Sequence, residues 1–148
     1  MAAITSSLVI RYAIMGMVLA GAFFTVKAQE STITQNLHYR RIQEIAEYTS
    51  NELTEGINKV QTHNKTLRKT MHYPQIEEGY KVRLHCNGEK VTIEVEPNIP
   101  IPNYQLETKL NCNQVNATGQ TFPGRRCLTI TKESPTQIKA VLEGDCGT

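Results

Sequence analysis

The chain has no tryptophan, and only one of its 14 acidic residues is an aspartate, Asp145. A single Asp leaves too little material for an Asp-rich calcium-binding loop. The formal net charge is only +2 over 148 residues, so the chain lacks the concentrated basic surface of a nucleic-acid-binding protein, and we expect no nucleic-acid partner. Hydrophobic residues make up 39% and charged residues 20%, a balance typical of a folded protein.

The sequence also lacks the common motifs of enzymes. It contains no Gly-rich phosphate loop, no G-x-S-x-G and no H-E-x-x-H. The four histidines are scattered along the chain: His38, His63, His72 and His85. Paired carboxylates occur at Glu77–Glu78 and at Glu94 and Glu96, in predicted turn or outward-facing strand positions where solvated charge is usual. We therefore expect a protein that is not an enzyme, with no catalytic residues, no cofactor and no metal site.

One long apolar run stands at the N-terminus, over residues 4–26, with Arg11 as its single charge. As a helix rising about 1.5 Å per residue, the run covers roughly 34 Å, enough for a bilayer core of about 30 Å. In one interpretation the run is a retained membrane anchor. The long side chain of Arg11 then reaches toward the nearer interface, which lowers the cost of a charge within the membrane.

In the other interpretation the run belongs to a cleaved signal peptide. Met1–Arg11 is then the n-region and Tyr12–Phe24 the h-region, and small residues permit cleavage after Ala28. The mature chain would be a secreted, soluble binding or inhibitor module, with residues 113–124 as its candidate contact loop. Both interpretations predict that everything after Lys27 is exported.

The cysteines and glycosylation sequons agree with export. All four cysteines lie beyond the apolar run, and the absence of C-x-x-C disfavours a zinc site. Three disulfide connectivities are possible. We favour Cys86–Cys112, since both are in phase with inward apolar positions and could meet inside, and Cys127–Cys146, which flank the last hairpin. The two sequons predict glycosylation of Asn64 and Asn116.

After the apolar run the sequence predicts an amphipathic helix over residues 37–60. Its apolar or small positions recur at helical spacing: Ile42, Ile45, Ala46, Thr49, Leu53, Gly56, Ile57 and Val60. No Pro or Gly separates Val26 from Ile42, so the two segments are expected to form one helix of about 55 residues. Packing of this stripe against the chain's own head and packing against neighbouring copies both remain open.

Beyond this helix the apolar period changes to two, which predicts strands. Alternation over residues 66–73 predicts a strand that ends at Pro74. Asn87-Gly88 predicts a hairpin turn. Pairing Cys86 with Glu89 across that turn would place Leu84 opposite Val91 and Val82 opposite Ile93, so that the apolar faces coincide.

The rest of the chain predicts more strands. Residues 104–112 alternate, residues 113–124 are expected to form a polar loop, and Leu128 and Ile130 are expected to pair with Leu142 and Ala140 across a turn at Ser134-Pro135. The predicted fold class is α+β. A long hydrophobic-then-amphipathic helix (residues 1–64) precedes a small antiparallel β-sandwich or open-barrel head of about six strands (residues 65–148).

The order of these parts resembles a known family. The segments that carry the resemblance are the amphipathic Leu37–Tyr48, the strand ending in Tyr73-Pro74, the I-x-x-G-Y-x-V-x-L run of Ile76–Leu84, Leu110-Asn-Cys-Asn, and Cys127-Leu-Thr-Ile. Together they resemble the archaeal type IV pilin-like superfamily, which includes pilins, archaellins and archaellum stator proteins. The resemblance implies a hydrophobic helix that packs in a filament core or anchors in the membrane, and a β-sandwich head outside the cell.

The N-terminus favours particular members of this superfamily. Pilins carry a short basic leader, whereas no Lys or Arg precedes the apolar run here. Met1-Ala-Ala-Ile-Thr-Ser-Ser is closer to the short, uncleaved start of stator-type relatives. The resemblance thus implies a minor pilin or stator-like component whose partners are the membrane, copies of itself in a filament, pilus or archaellum components, or a surface-layer protein. The residues expected to face partner helices are Ile42, Ile45, Ala46, Thr49, Leu53, Ile57 and Val60.

Overall fold

The structure, a computed structural model, describes residues 2–63, 65–144 and 146. It contains one helix, α1 (Ala2–His63), followed by seven strands. The strands are β1 (Leu67–Tyr73), β2 (Tyr80–Asn87), β3 (Lys90–Pro97), β4 (Tyr104–Asn111), β5 (Val115–Thr121), β6 (Gly124–Ser134) and β7 (Gln137–Glu143). The predicted α+β class, a long helix followed by a β head, is confirmed. The strand count is seven rather than about six.

The chain divides into two compact units, Met1–His38 and Tyr39–Thr148. The predicted division at residues 64 and 65 therefore differs from the observed one. The physical reason is that residues 42–60 of α1 supply buried side chains to the core of the second unit. This part of the helix belongs with the head.

The strands of the second unit form one sheet in the order β1-β6-β7-β5-β2-β3-β4. Neighbouring strands are antiparallel except β5 and β7, which are parallel. The head is a single sheet rather than the predicted β-sandwich, because no second sheet faces this one in the described part of the chain. The amphipathic part of α1 takes the place of a second layer and covers one face of the sheet, leaving the other face open.

The apolar stripe of α1 lies in the chain's own core. Its members are at most 3% exposed: Ile42, Ile45, Ala46, Thr49, Leu53, Ile57 and Val60. Gly56 is also buried, and a Cβ at this position would collide with the side chain of Ile130 in β6. The expectation that these residues face partner helices is corrected, since the same side chains are already packed against the inward residues of the sheet.

The β2–β3 hairpin forms with a register two residues away from the predicted one. Asn87 pairs with Lys90, so that Leu84 lies opposite Ile93 and Val82 opposite Val95. The turn residues are Gly88 and Glu89, and Gly88 has a φ of 64°. Glycine thus supplies the positive φ at the first turn position rather than the second. A shift of two residues preserves the inward face, which is why apolar matching alone did not distinguish the registers.

Residues 113–124 are not a polar loop, because β5 occupies most of them. β5 is the central strand of the sheet, and its inward residues Val115 and Ala117 are 2% and 0% exposed. The last hairpin agrees with its prediction, with Leu128 opposite Leu142 and Ile130 opposite Ala140.

Two disulfides brace the second unit. Cys86 is bonded to Cys112, with 5.9 Å between their Cα atoms, and Cys127 to Cys146, with 4.6 Å. This is the pairing preferred from the sequence. The alternation of the sequence predicted that the first bond would lie inside the head. It lies at the surface instead, since Cys86 is exposed and Cys112 is half-buried. It joins the end of the β2–β3 hairpin to the residue after β4, where the Cys112 N–H donates to the Glu89 carbonyl at 2.8 Å.

Candidate functional surfaces

The first unit presents an apolar helix surface over residues 12–26. Large side chains on all sides of α1 are 57–75% exposed between Tyr12 and Val26: Tyr12, Ile14, Met15, Met17, Val18, Leu19, Phe23, Phe24 and Val26. A helix that is apolar all round requires a buried or lipid environment. By length and composition α1 can cross a membrane, a property that N-terminal signal sequences share.

Two threonine hydroxyls of the first unit have partners inside the helix. The Thr25 hydroxyl donates to the Gly21 carbonyl at 2.7 Å, and the Thr32 hydroxyl donates to the Ala28 carbonyl at 3.0 Å. Such bonds to the preceding turn satisfy a hydroxyl where water is absent. The Thr25 hydroxyl therefore needs no hydrogen bond from solvent.

In the second unit, polar contacts position β1 against the helix. The Thr49 hydroxyl donates to the Ile45 carbonyl at 2.8 Å and lies 3.1 Å from the Tyr73 hydroxyl. Burial raises the pKa of Tyr73 far above its ordinary value, although the Thr49 hydrogen bond opposes this shift. The Lys69 ammonium pairs with the Glu52 carboxylate, whose hydrogen bond raises the pKa of Lys69. These groups hold the helix on the sheet.

The histidines and the paired carboxylates are dispersed over the structure. His63 and His72 are exposed, and His85 is half-buried on the open face. Partial burial alone would raise the pKa of Glu94, but hydrogen bonds from Gln105 and Asn103, with the charge of Arg83, lower it below its ordinary value. In the described ranges 2–63, 65–144 and 146, no three His, Cys, Asp or Glu side chains gather as a metal site.

A groove of 480 Å³ lies between α1 and the segment that follows β1. It is lined by Arg41, Glu44, Ile45, Tyr48, His72, Pro74, Gln75 and Ile76. The set mixes one cation, one carboxylate and one imidazole with apolar side chains, and it includes no Ser, Thr or Cys nucleophile.

The open face of the sheet is polar, and several of its charges are paired with one another. Arg83 pairs with Glu96 at 3.1 Å, Lys90 with Glu107 at 3.4 Å, and Lys139 with Glu133 at 3.7 Å. Its centre is β5, which carries the exposed Asn116 and Thr118 of one predicted sequon. The acceptor of the second predicted sequon, Asn64, lies outside the described residues.

Sequence reasoning missed this central strand. The alternation Val115-Asn-Ala-Thr-Gly-Gln-Thr121 has a period of two, but its inward residues are mostly small and its glycine and asparagine resemble turn residues. No family model, curated protein or solved structure matches the chain.

Proposed function

We propose that the chain is a non-enzymatic, membrane-anchored, pilin-like protein of the cell surface, either a minor pilin or a stator-like component of an archaeal pilus or archaellum. The observation that carries the proposal is the exposed, uncharged helix surface over residues 12–26. A water-exposed helix with this composition would be an aggregation site, whereas a bilayer or a filament core stabilises it.

The charges at the two ends of this surface fit a membrane span. Arg11 and Lys27 bracket the uncharged segment, and sixteen steps of a helix separate them by about 24 Å. The Arg11 side chain can extend along the helix so that its charge reaches the headgroups while its methylenes stay in the apolar layer. This extension lengthens the span toward the roughly 30 Å of a bilayer core and explains how Arg11 is tolerated. At the other end, the Lys27 ammonium lies over the Phe23 ring, 5.8 Å from its centroid.

The second unit supports an extracellular head. Its two disulfides persist in an oxidising compartment and are rare in reducing ones. Because the stripe of Ile42–Val60 is already used inside the head, lateral contacts with filament or envelope partners would fall to the exposed surface of residues 12–37. This assigns anchoring and assembly to the first unit and display of the outer surface to the second.

One observation favours a second function, the secreted binding or inhibitor module released after Ala28. That hypothesis expected the amphipathic helix to pack on the head's own sheet, which it does. Its proposed contact segment, residues 113–124, is however largely the central strand β5. A contact made by this module would therefore use a sheet face rather than a flexible loop.

The test of anchoring uses the full chain and two matched double variants. Val18→Glu with Ala22→Glu places two charges in the uncharged segment, at a cost of about 2.5–3.5 kcal/mol per charge for insertion. The control, Thr32→Glu with Asn36→Glu, has the same charges and spacing outside that segment. The wild type and the control should sediment with membranes in about 1 M salt, where exposed charges are screened beyond about 3 Å.

The variant with charges at positions 18 and 22 should leave the membrane fraction. Disulfide formation in each variant reports that the second unit has folded. A soluble wild type would contradict the anchor and would favour the secreted module. Sedimentation of both variants alike would show that the uncharged segment over residues 12–26 is not what holds the chain on the membrane.

A further inference from the structure

The open face of the sheet has a distinct centre. Two rows of side chains run across β6, β7 and β5 on this face. The first row is Thr131, Lys139 and Asn116, and the second is Thr129, Val141 and Thr118. Of these six side chains only Lys139 is charged, and it pairs with Glu133 at 3.7 Å, whereas four of the others carry a hydroxyl or an amide. The centre is thus a small polar surface on the middle strand of seven.

The sequon is displayed on this centre in an extended conformation. Asn116 and Thr118 lie two residues apart in β5, so their side chains point to the same face about 6.6 Å apart along the strand. Both residues are exposed. Their inward neighbours, Val115 and Ala117, anchor the strand in the core with 2% and 0% exposure.

The surroundings of Asn116 suit a carbohydrate. Saccharides present hydroxyls together with small apolar C–H faces, and here hydroxyls of Thr129 and Thr131 lie beside the half-buried Val141. Lys139, directly beside Asn116, is a hydrogen-bond donor whose side chain is 47% exposed. A protein partner docking on this face would instead have to displace the water around the charges that border it.

We propose that Asn116 carries an N-linked oligosaccharide, and that this oligosaccharide covers the centre of the open sheet face. The proposal rests on the exported location in the proposed function. The sheet then has two covers of different chemistry, the amphipathic part of α1 on one face and a glycan on the other. Partners of the head would be excluded from the centre of the open face and restricted to its edges.

The attachment is a group transfer from a lipid-phosphate-linked oligosaccharide. The Nδ2 atom of Asn116 forms a bond to the anomeric carbon of the sugar and loses one proton. The bond from that carbon to the carrier phosphate oxygen breaks, and the phosphate leaves with the electron pair. The Thr118 hydroxyl completes the sequon that the transferase recognises.

The first test is the mass of the peptide containing Asn116, from protein purified out of its own cells. The wild type and Thr118→Ser, which keeps the sequon, should carry sugar mass on this peptide. Thr118→Ala and Asn116→Gln should lose it. An unmodified Asn116 in the wild type would overturn the proposal, whatever the state of the peptide containing Asn64.

The second test asks whether the glycan covers the face. An amine-reactive label should modify Lys139 several-fold more slowly in the wild type than in Thr118→Ala, while Lys59 on the helix, 54% exposed, should react equally in both. Equal labelling of Lys139 in glycosylated and unglycosylated protein would overturn the covering role. Sedimentation of the same preparations separates this result from the proposed function. A soluble, glycosylated chain would contradict only the membrane anchor. A membrane-bound chain with an unmodified Asn116 would contradict only the glycan proposal.

Discussion

Ile45→Asp is expected to unfold the second unit. Ile45 is 3% exposed and belongs to the core formed by α1 and the sheet. The substitution removes an apolar side chain, a change that costs about 2–5 kcal/mol for truncation alone, and adds an unpaired buried charge at about 3 kcal/mol or more. Their sum is comparable with the whole stability of a domain, about 5–15 kcal/mol.

The effect is measured on the full chain in detergent by denaturant unfolding, followed through the near-ultraviolet signal of the tyrosines. Thr54→Asp is the matched control, because Thr54 lies on the same helix and is exposed. The control should change the unfolding midpoint little. An Ile45→Asp protein that unfolds at the wild-type midpoint would show that the stripe is not part of the chain's own core, and would return it to a role in packing against partner helices.

The second large effect is expected for Gly119→Ala in the central strand. Gly119 has a φ of 124°, a conformation that side chains rarely adopt, and an added Cβ would collide with the backbone carbonyl oxygen of Leu142 in β7. Backbone strain of about 1–3 kcal/mol and overpacking of about 1–3 kcal/mol should together lower the free energy of unfolding by about 2–6 kcal/mol.

Gly88→Ala separates these two causes. Gly88 also has a positive φ, 64°, but a Cβ there meets no atom within 4 Å. We expect a loss of only about 1–2 kcal/mol, the cost of a left-handed conformation for an L-residue. Equal losses for the two variants in denaturant unfolding would contradict the close approach of β5 and β7 at Gly119.

Some features of the fold were predictable because they need only local patterns. The helical stripe from Ile42 to Val60 and the apolar pairing of Leu128 with Leu142 follow from periodicity, and both lie in the core. Periodicity left open whether the stripe packs on the chain's own head or on neighbouring copies. The hairpin register was not predictable from apolar matching, because a shift of two residues leaves Leu84 on the same face.

The parts that escaped prediction depend on contacts distant in sequence. β5 is a strand because β2 and β7 flank it, and the parallel pairing of Val115 with Ile138 leaves no local signal. The choice between a sandwich and a single sheet likewise depended on whether α1 covers a face. The candidate membrane surface was readable from composition alone, whereas the position of Asn116 at the centre of the open face required the register of the strands.

The most direct test of membrane anchoring is the N-terminal boundary of the mature chain. Mass spectrometry of protein isolated from the membrane fraction of its own cells should find peptides that include residues 12–26, joined without cleavage to the segment beyond Ala28. A mature chain that begins at Gln29 and is recovered in the soluble fraction would contradict the anchor and identify the protein as a secreted module.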